Sequence, residues 1–183
     1  LPQPLTMRDA HIGFVGFGHI GSKSWNLLRM LSCTASAVTG RGTVDAEAQG
    51  LSWAGDATDL GRLMTESDVV VVSAPLNAHT RGMIGPAEFE ALGSEGVLIN
   101  VGRGPLLQQQ ALYDALSTNT IRAAAIDVWY SYPGPDGRGV PGDLPFGDLP
   151  NLLMTPHSSG VTHDTFVGRV RDIADNIRRL ARA

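Results

Sequence analysis

The sequence predicts an α/β fold, a doubly wound parallel sheet forming a single domain. Three observations lead there. Short apolar runs alternate along the chain with stretches of helical period. Those runs are apolar throughout, which marks strands covered by helices on both faces. The first run opens into "GFVGFGHIG", where Gly16, Gly18 and Gly21 have the GxGxxG spacing of a dinucleotide-binding turn between a strand and a helix, so the sheet is expected to be of the Rossmann type.

Each element follows in order. "HIGFVG" (11–16) reads as the first strand, with a helix from about Gly18 to Leu31. "TASAVT" (34–39) is the second strand. "TDLGRLMTES" (58–67) reads as a short helix that leads into the strand "DVVVVSAP" (68–75). "GVLINV" (96–101) is a further strand, and "LLQQQALYDALS" (106–117) a helix with apolar positions at Leu106, Ala111, Leu112 and Leu116. "IRAAAIDV" (121–128) and "NLLMTP" (151–156) complete the strands, and an amphipathic helix rich in Arg and Asp runs from Thr165 to Ala183. Residues 1–9 read as a linker. The stretch 131–150, rich in Gly, Pro and Asp and without period, reads as a surface loop.

Composition narrows the function. A chain of 183 residues fits one dinucleotide-binding domain over 1–183. A formal charge of −4 without any basic run argues against a nucleic acid or an anionic membrane as partner. The longest apolar runs are too short to cross a bilayer. Cys33 is the single cysteine, so no internal disulfide can form, and no stretch reads as a signal peptide; a cytoplasmic location is expected. No metal site is expected.

The glycine turn assigns separate tasks. Gly16 permits the tight turn, Gly18 lets a pyrophosphate approach the backbone, and Gly21 lets helix and strand pack closely. Free N–H groups at the helix start supply an anion site. An acid normally follows roughly 20 residues later, at the tip of the second strand, to hold an adenosine ribose. Here the tip carries Thr39 and Gly40, and Arg41 follows. Without the acid a 2′-phosphate is no longer repelled, and Arg41 offers a fork able to grip it. NADP(H) is therefore expected in preference to NAD(H), with NAD still able to bind. The alternative for Arg41, an ordinary solvated loop arginine, stays open at this point.

In open α/β sheets ligands bind beyond the carboxyl ends of the strands. Arg103 follows "LINVG", Asp127 ends "AAAID" and His157 follows "LLMTP", so all three fall on that edge. An arginine, a titratable histidine and a nucleotide together suggest hydride transfer to a carbonyl, with Arg103 orienting and polarising and His157 delivering a proton.

With "SDVVVVSAPLNAHTRGMI", "LINVGRGPL", "ALYDAL", "AAIDVW" and "NLLMTPHSSG" added to the glycine turn, the chain resembles the nucleotide-binding domain of the D-isomer-specific 2-hydroxyacid dehydrogenases over nearly all of residues 10–180. The resemblance implies reversible reduction of a 2-keto acid to a D-2-hydroxy acid. It implies that Arg103 binds the substrate carboxylate and carbonyl and that His157 is the acid/base. Asp127 matches the residue that contacts the nicotinamide carboxamide, and His19 and Ile20 match the pyrophosphate-contacting pair. Val101, the backbone near Pro75, and Gly160 match further cofactor contacts. The resemblance also implies a homodimer.

Two departures from the family stand out. The family's glutamate, five positions after the aspartate, is replaced by Tyr132. A glutamate there stabilises the imidazolium, whereas Tyr132 carries no charge at neutral pH and can orient the ring only through its hydroxyl. An acid-shifted optimum for keto-acid reduction is expected. The family's substrate-binding domain is also missing from this chain, which begins at Leu1 rather than Met; a fragment of a longer dehydrogenase is expected, which alone would be inactive. The competing reading is a module that senses NAD(P)(H) without turnover.

Overall fold

Strand β1 (His11–Val15) occupies the middle of the sheet because Ile12, Phe14 and Val15 must all be withdrawn from water. The structure, a computed structural model, describes residues 6–137 and 139–181. After β1 come α1 (His19–Leu28), β2 (Thr34–Val38), α2 (Ala46–Gln49), β3 (Trp53–Gly55), α3 (Leu60–Glu66) and β4 (Val69–Val72). Then follow α4 (Pro86–Leu92), β5 (Val97–Asn100), α5 (Gln109–Ser117), β6 (Ala123–Ile126), β7 (Leu152–Met154) and α6 (His163–Leu180). Among the described residues the seven strands form one sheet in the order β3-β2-β1-β4-β5-β6-β7, with every neighbouring pair parallel. This is the doubly wound Rossmann arrangement, and the order reverses between β1 and β4.

Burial on both faces follows the strand period. Val70 and Val72 enter one apolar cluster with Leu63, Leu98 and Leu112, while Val71 enters the other with Ile12, Phe14 and Trp25. The side chain of Trp25 from α1 packs edge-on against Phe14, at 6.4 Å between ring centroids. No described helix is long and apolar enough to cross a membrane.

The structure departs from the sequence expectations in four places. β3 and α2 were not expected; β3 has only three residues and exists through its pairing with β2, Ala37 opposite Ala54. Nor was α4, although Pro86 at its start, Glu88 accepting from the Gly85 N–H at 2.8 Å, and Gly93 at its end are ordinary helix boundaries. The 131–150 stretch is not wholly a surface loop. A tight helical turn over Phe146–Asp148 buries Phe146 to 1% exposure. Its ring stacks on Tyr130 at 6.1 Å and meets Tyr113 edge-on at 5.8 Å. Finally, α6 begins at His163, capped by the Thr162 hydroxyl, which accepts from the Thr165 N–H at 3.1 Å; residues 182–183 of the expected helix lie outside the described residues. Its apolar stripe, Phe166, Val170, Ile173, Ile177 and Leu180, is exposed.

Candidate functional site

A crevice of about 900 Å³ opens at the β1/β4 reversal, lined by Gly16, Gly18, Thr39, Gly40, Arg41 and Pro75 among others. Gly16 has φ +91°, and a Cβ there would lie 2.6 Å from the Ala74 amide nitrogen, so a side chain is excluded twice over. Its carbonyl accepts from the Ser73 hydroxyl at 2.9 Å, fixing the turn. A Cβ on Gly21 would sit 2.6 Å from the Gly16 oxygen, which is why helix and strand approach so closely. Gly18 faces open space instead: a Cβ there would meet nothing within 4 Å. It is the N-cap of α1, so the first amides of that helix are available to an anion laid across it. The cradle fits a dinucleotide pyrophosphate. His19 and Ile20 open α1 on its exposed side, and Gly21 is buried behind them.

At the far end of the crevice the Thr39 hydroxyl accepts from the Gly42 N–H at 3.1 Å, and Gly42 has φ +60°. The turn so formed presents Arg41 to solvent, with no ion pair among the described residues. Asp56, just beyond β3, packs against Gly42 but spends its carboxylate on the Thr58 amide (2.8 Å) and hydroxyl (2.6 Å). Those bonds hold the Asp56 pKa below the ordinary carboxylate value. The opposite wall is tied by Thr80, whose hydroxyl donates to the Pro75 carbonyl at 2.7 Å. His79, absent from the sequence expectations, also lines the crevice.

The polar residues at the strand ends are positioned by their neighbours. Buried Asn100 ends β5; its amide oxygen accepts from the Gly102 N–H (3.0 Å) and its NH₂ donates to the Arg103 carbonyl (3.1 Å). That double contact folds the turn carrying Arg103, whose guanidinium donates to the Gly102 carbonyl at 2.6 Å and is otherwise exposed. Val101 is half-buried beside it. Gly104 abuts the next strand end, where a Cβ would lie 2.4 Å from the Trp129 carbonyl oxygen. The Arg103 turn and the segment after β6 therefore touch backbone to backbone.

Asp127 is 4% exposed and its carboxylate is heavily engaged. One oxygen accepts from the Thr155 hydroxyl (2.6 Å) and the Ser158 amide (2.9 Å), the other from the Ser159 amide (3.2 Å) and hydroxyl (2.5 Å). Burial pushes its pKa up, but the bonds from Ser159, Thr155 and the two amides outweigh burial and hold the value below normal. The residues it grips flank His157, which takes a left-handed conformation at φ 56°, uncommon for a side chain of this kind. Asp127 is thus a staple for the histidine loop. The loop leaves His157 and Gly160 exposed.

Tyr132 lies against His157 with ring centroids 5.5 Å apart, tilted by 43°. Its hydroxyl does not orient the imidazole, contrary to the sequence expectation: the oxygen accepts from the Trp129 N–H at 3.2 Å, and the contact to His157 is made by the ring. Trp129 in turn donates its indole N–H to the Thr155 carbonyl at 2.9 Å. Asn100, Trp129, Thr155 and Ser159 all shape the site, and sequence reasoning missed their roles; the only local hint was a polar Asn100 ending an apolar strand. Among the described residues, no group of three or more His, Cys, Asp or Glu is placed to hold a metal.

Comparison with known proteins gives this geometry its context. The family described as "D-isomer specific 2-hydroxyacid dehydrogenase, NAD binding domain" matches residues 2–159. Glyoxylate/hydroxypyruvate reductase B of Enterobacter agglomerans is 40% identical over 119 residues, 65% of this chain and 35% of that protein. The mitochondrial formate dehydrogenase of Solanum tuberosum is 30% identical over 167 residues, 90% of this chain and 42% of that one. Among solved structures, an acyclic imino acid reductase (Bsp5) in complex with NADPH and D-Arg superposes with a TM-score of 0.83 at 26% identity, covering 97% of this chain and 53% of the other. The chain thus spans about a third of the length of the reductase and about half that of the solved structure. On the family match over most of its length, the chain belongs to the D-isomer specific 2-hydroxyacid dehydrogenases, as their NAD-binding domain.

Proposed function

We propose that this domain binds NADP(H) in preference to NAD(H) and forms the cofactor half of an enzyme that interconverts a 2-keto acid and a D-2-hydroxy acid. The observation that carries the reading is a dinucleotide crevice ending on an uncharged strand tip beside Arg41, which makes no ion pair among the described residues. Gly16, Gly18 and the start of α1 hold the pyrophosphate, and Thr39, Gly40 and Arg41 receive the 2′-phosphate. The nicotinamide, when bound, supplies the hydride for reduction or accepts it for oxidation. Arg103 holds the substrate carboxylate and polarises its carbonyl, and His157 gives its proton to the carbonyl oxygen or takes it back from the hydroxyl. Asp127 and Tyr132 hold His157 in place, the first through the loop backbone and the second through ring contact. The substrate class is in line with the glyoxylate/hydroxypyruvate reductase among the relatives, and NADPH use with the imino acid reductase complex. The exposed apolar stripe of α6 suits a partner surface, a second copy of the chain included, and the lone Cys33 suits a reducing cytoplasm.

Paired dissociation constants for NADPH and NADH test the reading. A hydrogen-bonded charge is worth ~1.5–3 kcal/mol, so NADPH is expected to bind about 10- to 100-fold more tightly, with the difference lost in Arg41→Ala. Equal affinities in the unaltered protein refute the preference.

A further inference from the structure

The crevice at the β1/β4 reversal has a one-sided charge. Its lining runs from the glycine turn, past the residues after β2 and Ala57, to the segment after β4. Among the described residues that line it there is no Asp or Glu, and two side chains carry ionisable groups, Arg41 and His79. Both are basic. They stand on opposite walls. β2 and β4 flank β1, and Val38, Val15 and Val72 lie level at the carboxyl ends of the three strands. Neighbouring strands are about 4.8 Å apart, so the chain leaves β2 towards Arg41 and β4 towards His79 at points roughly 10 Å apart, with the glycine turn between them.

The turn that carries His79 is pinned. The Asn77 amide oxygen accepts from the His79 N–H at 2.8 Å and from the Thr80 N–H at 3.2 Å. The Thr80 hydroxyl accepts from the Asn77 N–H at 2.9 Å and donates to the Pro75 carbonyl. His79 is left exposed at the crevice, and among the described residues no ion pair engages it. The charged groups around it are cationic: Arg81 two residues on along the same turn, and Arg41 on the facing wall. Asp56, beyond the lining, has its carboxylate engaged by Thr58. A crevice so lined attracts an anion from both sides.

Resting on the reading of the crevice as an NADP(H) site, we infer that His79 is a second residue that sets the preference for the 2′-phosphate, meeting it from the wall opposite Arg41. The arginine fork takes two of the phosphate oxygens, and an imidazole N–H from across the crevice takes a third. The preference then depends on pH. A histidine side chain carries charge towards the acid end of the range of about pH 5 to 8 and loses it towards the alkaline end, whereas an arginine stays charged throughout.

Dissociation constants for NADP⁺ and NAD⁺, measured by calorimetry at about pH 6 and about pH 8.5, test this without any turnover. His79→Gln is expected to lower the preference for NADP⁺ over NAD⁺ about three- to tenfold at the acid pH and about twofold or less at the alkaline one, with NAD⁺ affinity unchanged. His79→Lys should keep the preference at both. Arg41→Ala should retain a residual preference of about three- to tenfold at the acid pH alone. Comparing each variant with the unaltered protein at the same pH cancels the titration of the phosphate itself, near pH 6. A preference that His79→Gln leaves unchanged at the acid pH overturns the inference. So does a loss shared equally by NAD⁺, the mark of an imidazole stacked on the adenine ring. In either case the cofactor reading stands if Arg41→Ala removes the preference at the alkaline pH. Equal binding of the two coenzymes by the unaltered protein at both pH values overturns the cofactor reading and the inference with it. A preference that survives Arg41→Ala and is lost in His79→Gln upholds His79 and removes the share given to Arg41.

Discussion

Replacing Asp127 by asparagine keeps the outline of the side chain while removing the charge that staples the histidine loop. One branch can still accept from the Thr155 hydroxyl and the Ser158 amide, but those two bonds become neutral ones. The other branch becomes an NH₂ facing the Ser159 amide, donor against donor, so that bond is lost, the amide keeps only its 3.3 Å contact to the first branch, and the Ser159 hydroxyl must turn to accept. Bonds to a charged acceptor are worth ~1.5–3 kcal/mol against ~1 for neutral ones. Ser158 and Ser159 lie at the surface, where water recovers part of the loss. The net cost comes to about 2–3 kcal/mol, enough to free His157 from its left-handed backbone without unfolding the sheet. Hydrogen exchange measures this directly: the Ser158 and Ser159 amides should exchange about 30- to 150-fold faster in Asp127→Asn, at 1.4 kcal/mol per factor of ten. Exchange within threefold of the unaltered protein would refute the staple. The same carboxylate sets an acid limit. Because its pKa is held below the ordinary 3.8, its contribution is complete above that pH and is lost as pH falls through the lower folded-state value. The difference between the protein and Asp127→Asn should therefore vanish on acidification.

Other outcomes follow from the same geometry. In the full-length enzyme of the proposed function, Tyr132→Glu places a carboxylate where the ring now lies 5.5 Å from His157, and a carboxylate there favours the imidazolium, so the pH–rate profile for keto-acid reduction should move to higher pH; superimposable profiles would refute that role for a carboxylate at this position. Phe146→Ala removes a buried ring packed on three aromatic neighbours and should cost about 3–5 kcal/mol, or ~6–20 °C in melting temperature. A loss under about 1 kcal/mol would mean that the 131–150 stretch is a surface loop after all.

The parallel sheet, the glycine turn and the uncharged strand tip were all legible in the sequence, because each is written in neighbouring residues. An apolar run such as "VVVV" must be covered on both faces wherever it lies, and a GxGxxG turn carries its own backbone requirement. Arg103, Asp127 and His157 could be set on one edge of the sheet by the rule that ligands meet strands at their carboxyl ends. Helix α4 was not read from the sequence: Pro86, Glu88 and Gly93 mark its ends, but its seven residues hold too little period to stand out. Strand β3 was not legible, since three residues become a strand only through the hydrogen bonds that β2 offers them. Tertiary structure alone decided what the site's polar groups do. The donors that engage Asp127 lie 28 to 32 residues away in the chain. The Tyr132 hydroxyl turns to the Trp129 amide because the backbone folds back there, and Phe146 enters the core from a segment whose composition reads as solvent-facing. Composition and period report how a residue relates to water and to its neighbours in sequence, whereas a hydrogen bond or a ring contact is settled by whatever the closed chain brings within about 3 to 6 Å.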